Sequence, residues 1–488
     1  MAVIKFGPWL PDLPAYENDG LIDAVNAIPG SGGYRPFQGP TVIGSTNISA
    51  TAIGAYSFID DQNTSRIYVG TSSKIWGLEG SGHIDYSRTG DYSVPIEGFW
   101  EFNKFNQGQK QYVLAVNGND YMQRLQVGGN EFEDVSAAPL ARHIGIVKQF
   151  VVLGSIGVNR NAVHWSAVGD AVTWPELGTE LADAVLSGRQ DLANDGGPIH
   201  GVVGGDIGYI FQENTITRMS FVGGSVVFQF DQIANLKGVV GPNAWVRVGA
   251  IVYYLANDGF HAFDGSSSQP IGEGRVDHTF FNTITLTDLR LVQATSDITK
   301  NLIIWRFPVT GATDQLYVYN YVADAWTRVE HDVQWLFPSY GSGTTLEELD
   351  SYSAGGSTID SIPISLDTAL LNRGRAILSG YNDSFQLVDY SGTALTATFE
   401  TAEVADPQGR RTYINEVRPM IEASATTVQV GSRNVQTGTE TFSASSDVQT
   451  TGIANFRVEG RYHRMKFHVK DLTQAVGYEV FLIRGGKF

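Results

Sequence analysis

Residues 251–265 read IVYYLANDGFHAFDG, and they read as a β-hairpin. Ile251, Val252, Tyr253, Tyr254 and Leu255 are β-branched, aromatic or apolar, as in a mostly buried strand. Asn257-Asp258-Gly259 supplies the turn, because these residues tolerate the backbone angles of a tight loop. Phe260, Ala262 and Phe263 begin the return strand, and Asp264-Gly265 turns the chain again. The same unit recurs at 66–78, 112–125, 151–165, 209–219 and 302–319, and more loosely at 377–388. Return strands begin near Lys74, Tyr121, Val163, Ile216, Phe260 and Leu316, at gaps of roughly 42 to 56 residues, the repeat of a four-stranded propeller blade. The gap to the last one, near Phe385, is about 69 residues by the same count. The period predicts an all-β fold built on a six- or seven-bladed β-propeller.

Composition agrees with many short strands and tight turns. The 488 residues are 42% hydrophobic and only 17% charged, with 55 glycines. Such a chain is neither helical nor disordered in character. The formal net charge is −18, which argues against sequence-independent binding to phosphate backbones. Cysteine is absent, so disulfides and thiolate chemistry are excluded. The N-terminus lacks the apolar core of a signal peptide, and the longest apolar stretch, 144–158, is too short to span a bilayer. The expectation is a soluble protein made in the cytoplasm with no membrane segment.

Three regions are expected: an extended N-terminal arm (1–40), the propeller (41–395) and a C-terminal antiparallel, sandwich-like β-domain (396–488). In the arm, Pro8, Pro11 and Pro14 recur at the polyproline II spacing. Phe6 and Trp9 line a second face, and Leu10, Leu13 and Tyr16 a third. These groups must lie in a groove, either of the chain's own domain or of a neighbour. A helical turn is expected at 180–186 and a flexible loop near 340–361. After residue 395 the alternation is cleaner, with strands expected at 397–404, 413–421, 427–430 and 456–470. In 461–470, Met465, Phe467 and Val469 share one face. Arg464, Lys466, His468 and Lys470 share the other, either as the charged guard of an edge strand or as a docking face for an acidic neighbour.

The arm also carries an ordered pattern: Leu10-Pro11-Asp12-Leu13, Tyr16, Asn18, Gly20-Leu21, Asn26, Ile28-Pro29 and Gly33-Tyr34-Arg35-Pro36-Phe37. It resembles the N-terminal segment of the tail nozzle (tail hub) proteins of short-tailed bacteriophages. The resemblance continues through Val163-His164-Trp165-Ser166, Gly169-Asp170 and Trp174, then Gly196 to Gly201 and Phe211-Gln212-Glu213. It goes on through Asp258-Gly259-Phe260, Asp264-Gly265 and Ile271-Gly272, and later through Ser365-Leu366-Asp367, Glu400 to Glu403, Glu416 to Pro419 and Gly460 to His463. What it implies is a structural virion protein, assembled in the host cytoplasm. Such a protein forms a ring, expected to be a hexamer, below the portal and adaptor, and tail fibres or a needle are further possible partners. The propellers would form the tube wall, and the C-terminal domain and arm would make the contacts between subunits or with the adaptor. DNA would pass without tight binding: six copies of a −18 chain carry about −108, and like charge repels it from the wall.

No catalytic, cofactor or metal pattern rises above background. There is no nucleophile elbow, phosphate loop or His-Glu-x-x-His, and the nine histidines are scattered. The turns at Asp60-Asp61 and 117–120 are acidic but lack the alternating ligands of a calcium loop. The chain is read as a non-enzyme with no cofactor. The alternative is a propeller that binds or hydrolyses carbohydrate, which for hydrolysis places two carboxylates over its funnel.

Overall fold

The seven hairpins are the middle strands of seven four-stranded antiparallel blades. The computed structural model describes residues 3–80, 82–193, 195–224, 226–235, 237–341 and 376–485. Blades one to six occupy 55–85, 101–135, 141–191, 199–235, 245–270 and 293–330. The seventh takes Trp335–Tyr340, Ala376–Tyr381 and Leu387–Asp389 and borrows its outer strand, Thr41–Val42, from before blade one. That exchange closes the ring, with Val388 opposite Val42 and Asp389 opposite Thr41. The Ala52 N–H donating to Gln334 Oε1 (3.0 Å) joins the same two blades near the axis. The long gap before the last hairpin reflects an insertion between the first two strands of blade seven. The flexible loop expected near 340–361 falls almost wholly in that insertion and lies outside the described residues, as does Ser365-Leu366-Asp367.

The quoted hairpin forms the centre of blade five, Ile251–Ala256 against Gly259–Phe263. The positive φ falls on Gly259 (+143°), not on Asn257 or Asp258. A Cβ there would sit 2.1 Å from Asp277 Oδ2, so the turn needs glycine for space as well as conformation. Asp277 accepts the Phe260 N–H (3.1 Å), and burial pushes its carboxyl up to about 7. Burial likewise raises Asp389 to about 6, although the Ser379 hydroxyl donates to it. An acid whose native pKa lies above its unfolded value binds its proton more tightly when folded. That advantage is full below about pH 4 and is lost as pH rises toward 7. Unfolding free energy from these two groups therefore declines between about pH 4 and 7. Asp277→Asn and Asp389→Asn are expected to flatten that part of the profile, measured by urea unfolding across pH.

The arm is not a separate element. Val3–Lys5 pairs with the C-terminal strand Gln474–Arg484, and Ala27–Gly30 and Gly33–Pro36 extend the same sheet, which continues to Thr412–Glu422 and Ala454–Gly460. The facing sheet runs Leu21–Val25, Ala397–Thr401, Tyr462–Lys470, Ala425–Arg433. The two sheets pack as a sandwich over Phe399, Val428, Val430, Met465 and Phe467 on one side and Ile414, Val417, Ala475 and Tyr478 on the other. The expected strand 456–470 is two strands in different sheets, because the chain crosses the sandwich at Gly460-Arg461.

Leu21–Val25 also joins the two modules. On one side it pairs with Ala397–Thr401, and on the other it meets the outer strand of blade six, where Val25 lies beside Arg328. Blade six and one sandwich sheet are thus a single eleven-stranded sheet. Arg328 clamps Asp23 through Nε and Nη2, both at 2.8 Å. Asn26, at φ +59°, donates to Thr396 O and accepts the Glu330 N–H.

Candidate functional site

The residues expected to meet a partner divide into three groups. Phe6 is 7% and Trp9 1% exposed, so both are core groups of this chain and offer nothing to a neighbour. Phe6 lies between the sandwich sheets, stacked on Phe399 at 5.1 Å and close to Phe467 and Tyr478. Trp9 meets Tyr317 of blade six edge-on at 5.1 Å and donates to Ile22 O. Leu10 and Leu13 are half-buried. The Leu10 N–H donates to Leu21 O, and Asp12 caps the short helix Asp277–Thr283 by accepting from His278 and Thr279. Gly20 permits this path, since a Cβ would lie 2.0 Å from Pro8 O. Of Phe6, Trp9, Leu10, Leu13 and Tyr16, Tyr16 alone is exposed, at 52%.

The basic strand is corrected in a similar way. Met465, Phe467 and Val469 point inward as the alternation requires. However, Tyr462–Lys470 is a central strand, flanked by Ala397–Thr401 and Ala425–Arg433, so it guards no edge. Its cations are answered within the chain. Arg464 pairs with Glu400 (3.1 Å) and Glu440, Lys466 pairs with Glu400 (3.3 Å), and His468 hydrogen-bonds Thr398 (3.1 Å). Lys470 alone of the four is exposed. Sequence alternation identified the face but not the glutamates opposite, which lie 24 to 66 positions away. Lys466→Ala is expected to change stability by less than about 1 kcal/mol, measured by thermal unfolding, because a part-exposed pair contributes little.

The acidic turns serve their own backbones. Asp60 accepts the N–H groups of Gln62 and Thr64 and pairs with Arg66. Asn117 accepts from Asn119 and Asp120, and Asp120 pairs with Arg88. Among the described residues no group of three or more His, Asp or Glu converges as metal ligands would.

The propeller axis holds a feature that sequence order hides. A cavity of about 480 Å³ lies between the inner strands of blades one, two and seven, lined by Tyr56, Phe58, Lys104, Phe337 and Tyr340 among others, with no carboxylate. On blades three and four, the end at which inner strands begin is basic. His143 is buried and bonded to Glu101 (2.9 Å). His200 is the second residue of the inner strand of blade four, Ile199–Val203. Burial, then His143, Arg290, Arg160 and Arg142, push its pKa down to about 3. Burial and Arg160 also lower Arg142. Here four blade elements, far apart in sequence, gather positive charge in an acidic chain.

No family model matches this chain, and no curated protein matches it. Among solved structures it is similar to Raptor of Chaetomium thermophilum (TM-score 0.40, 9% identity), over 62% of this chain and 28% of that one. The chain thus spans just over a quarter of Raptor's length. It is also similar to the WD40 domain of Neurospora crassa Pan2 (TM-score 0.38, 8% identity, 62% of this chain and 88% of that one). BBS1N, crystallised in complex with ARL6DN, gives a TM-score of 0.41 at 10% identity, covering 75% of this chain and 96% of that one. No helix among the described residues is long and apolar enough to cross a membrane.

Proposed function

We propose that this chain is a structural virion protein, the subunit of a tail nozzle or hub ring of a short-tailed phage, through which the genome leaves below the portal and adaptor. The observation that carries this reading is the ordered motif set together with where its residues lie. Asn18, Gly20-Leu21, Asn26, Gly33-Tyr34 and Phe37 sit where the arm welds the sandwich to the propeller. Tyr34 donates to Gly7 O (2.9 Å), and Phe37 packs on Tyr390 of blade seven. The pattern that resembles the nozzle family is thus the one that joins the two modules, as a ring subunit under load needs. The chain's net charge of −18 suits a conduit that DNA traverses without adhering. Arm contacts to a partner are assigned to Tyr16, and sandwich contacts to Lys470, because these remain exposed. The test is co-assembly: the full chain mixed with a portal–adaptor complex of a short-tailed phage is expected to dock at the adaptor's distal end in electron micrographs. Failure to dock to any such complex would count against the reading.

A second reading rests on the aromatic lining of the axial cavity, where Tyr56 and Tyr340, both half-buried, present rings suited to stacking on sugars. Hydrolysis needs a carboxylate pair, which this lining does not provide, so binding alone is the version it supports. Retention on a glycan array, lost in Tyr56→Ala, would favour it.

A further inference from the structure

The cations gathered at the propeller's axial mouth point to a ligand. Arg142 and His143 lie at the start of blade three's inner strand, Ala141–Val147. Arg160 lies just past the 157–158 turn, and that turn sits at the same end, because Ala141 pairs with Ile156 and Ile156 with Asn159. His200 is the second residue of the adjacent inner strand, Ile199–Val203, and Arg290 lies in the 3-10 turn Asp288–Leu291 that leads into blade six. Arg160 and Arg290 are exposed, while Arg142 and His200 are half-buried.

Neighbouring carboxylates are already engaged. Glu101 holds His143, Asp191 holds Arg189 and Asn159, and Asp288 accepts the hydroxyls of Thr285 and Thr310. Among the described residues, no ion pair or side-chain hydrogen bond holds any of the three guanidinium groups. The basic strand of the sandwich makes the contrast, since Arg464 and Lys466 are matched by Glu400 and Glu440. A chain with 51 acidic residues has ample means to neutralise three arginines, yet Arg142 and Arg160 face each other's charge and Arg290 adds its own beside His200. Guanidinium groups are suited to bidentate recognition of oxyanions, and a half-buried mouth strengthens such contacts relative to open water.

We propose that Arg142, Arg160 and Arg290, grouped around His200, form a binding site for a compact multivalent phosphate anion at the mouth of the propeller. The arginines supply charge and forked donors, and neutral His200 supplies one ring N–H. This site is independent of the ring-forming role proposed above.

The probe is inorganic pyrophosphate, titrated into the full-length chain by calorimetry at fixed ionic strength, with sodium chloride as the matched control. Saturable binding is expected, weakened at least about tenfold by Arg142→Gln or by Arg160→Gln, the loss of one charge-assisted contact. Without anion, Arg160→Gln should melt no lower than the parent, because it removes repulsion and no contact. That distinguishes a vacated site from a damaged fold. Pyrophosphate heats indistinguishable from chloride, or unaltered binding by both variants, would overturn the proposal. So would binding of a short single-stranded oligonucleotide with none of pyrophosphate, since the anion would then be an extended backbone.

Discussion

Trp9→Ala is expected to destabilise the protein by about 3–5 kcal/mol, the range for truncating a large buried aromatic. Trp9 is 1% exposed and lies between the arm and Tyr317 of blade six. Its removal opens a cavity where two modules meet and orphans the Ile22 carbonyl that its indole N–H satisfies. Phe6→Ala acts on the neighbouring cluster, where Phe6 stacks on Phe399 and approaches Phe467 and Tyr478, and is expected to cost a similar ~3–5 kcal/mol. Urea unfolding followed by tryptophan fluorescence and far-ultraviolet dichroism measures both. Losses below about 1 kcal/mol would mean that the arm does not sit in the core. The same geometry decides what an arm deletion would report. Removing residues 1–40 takes away four strands of the sandwich, so failure of such a truncation to assemble would report unfolding before it reported a lost contact.

Arg328→Ala is the second large effect, expected at roughly 2–4 kcal/mol, somewhat below a fully buried pair because both partners keep some exposure. Arg328 and Asp23 have side-chain exposures of 19% and 23% and meet through two bonds of 2.8 Å. The substitution leaves Asp23 without its cation on the strand that continues blade six into the sandwich. The expected signature is loss of cooperativity between modules, seen as two resolved unfolding transitions where the parent shows one. Arg328→Lys should recover little, since an ammonium cannot reproduce the two-pronged contact. An unchanged single transition in Arg328→Ala would show that the modules are held together elsewhere.

Much of the propeller was legible because each central hairpin carries its signal locally, an apolar run, a turn of Gly, Asn or Asp, and a return. The rest depends on distance in sequence. Thr41–Val42 closes the ring with two β-branched residues, a run too short to show a strand's alternation. The arm's proline spacing suggested an extended segment and hid the strands at 3–5 and 33–36, whose partners lie at the other end of the chain, and residues 21–28 read equally as a short strand or a helical turn until Ala397–Thr401 is seen beside them. Buried Phe6 and Trp9 looked like contact residues because their apolarity was visible and the groove that receives them was not. In Tyr462–Lys470, period-two alternation correctly separated Met465, Phe467 and Val469 from the basic side. Whether Arg464 and Lys466 were free turned on Glu400 and Glu440, which only sheet order reveals. The axial arginines were missed altogether, because 142 and 160 are brought to one end of blade three by its strand pairing and 290 joins that end only when the turn before blade six is placed on the same ring.

The central claim is that copies of this chain close into a ring, and electron microscopy of the purified full-length protein, alone and with a portal–adaptor complex, tests it most directly. The account predicts closed rings with a central bore, six subunits being the number the family resemblance implies, each subunit showing a propeller disc fused to a sandwich. Dispersed single particles under both conditions would contradict it.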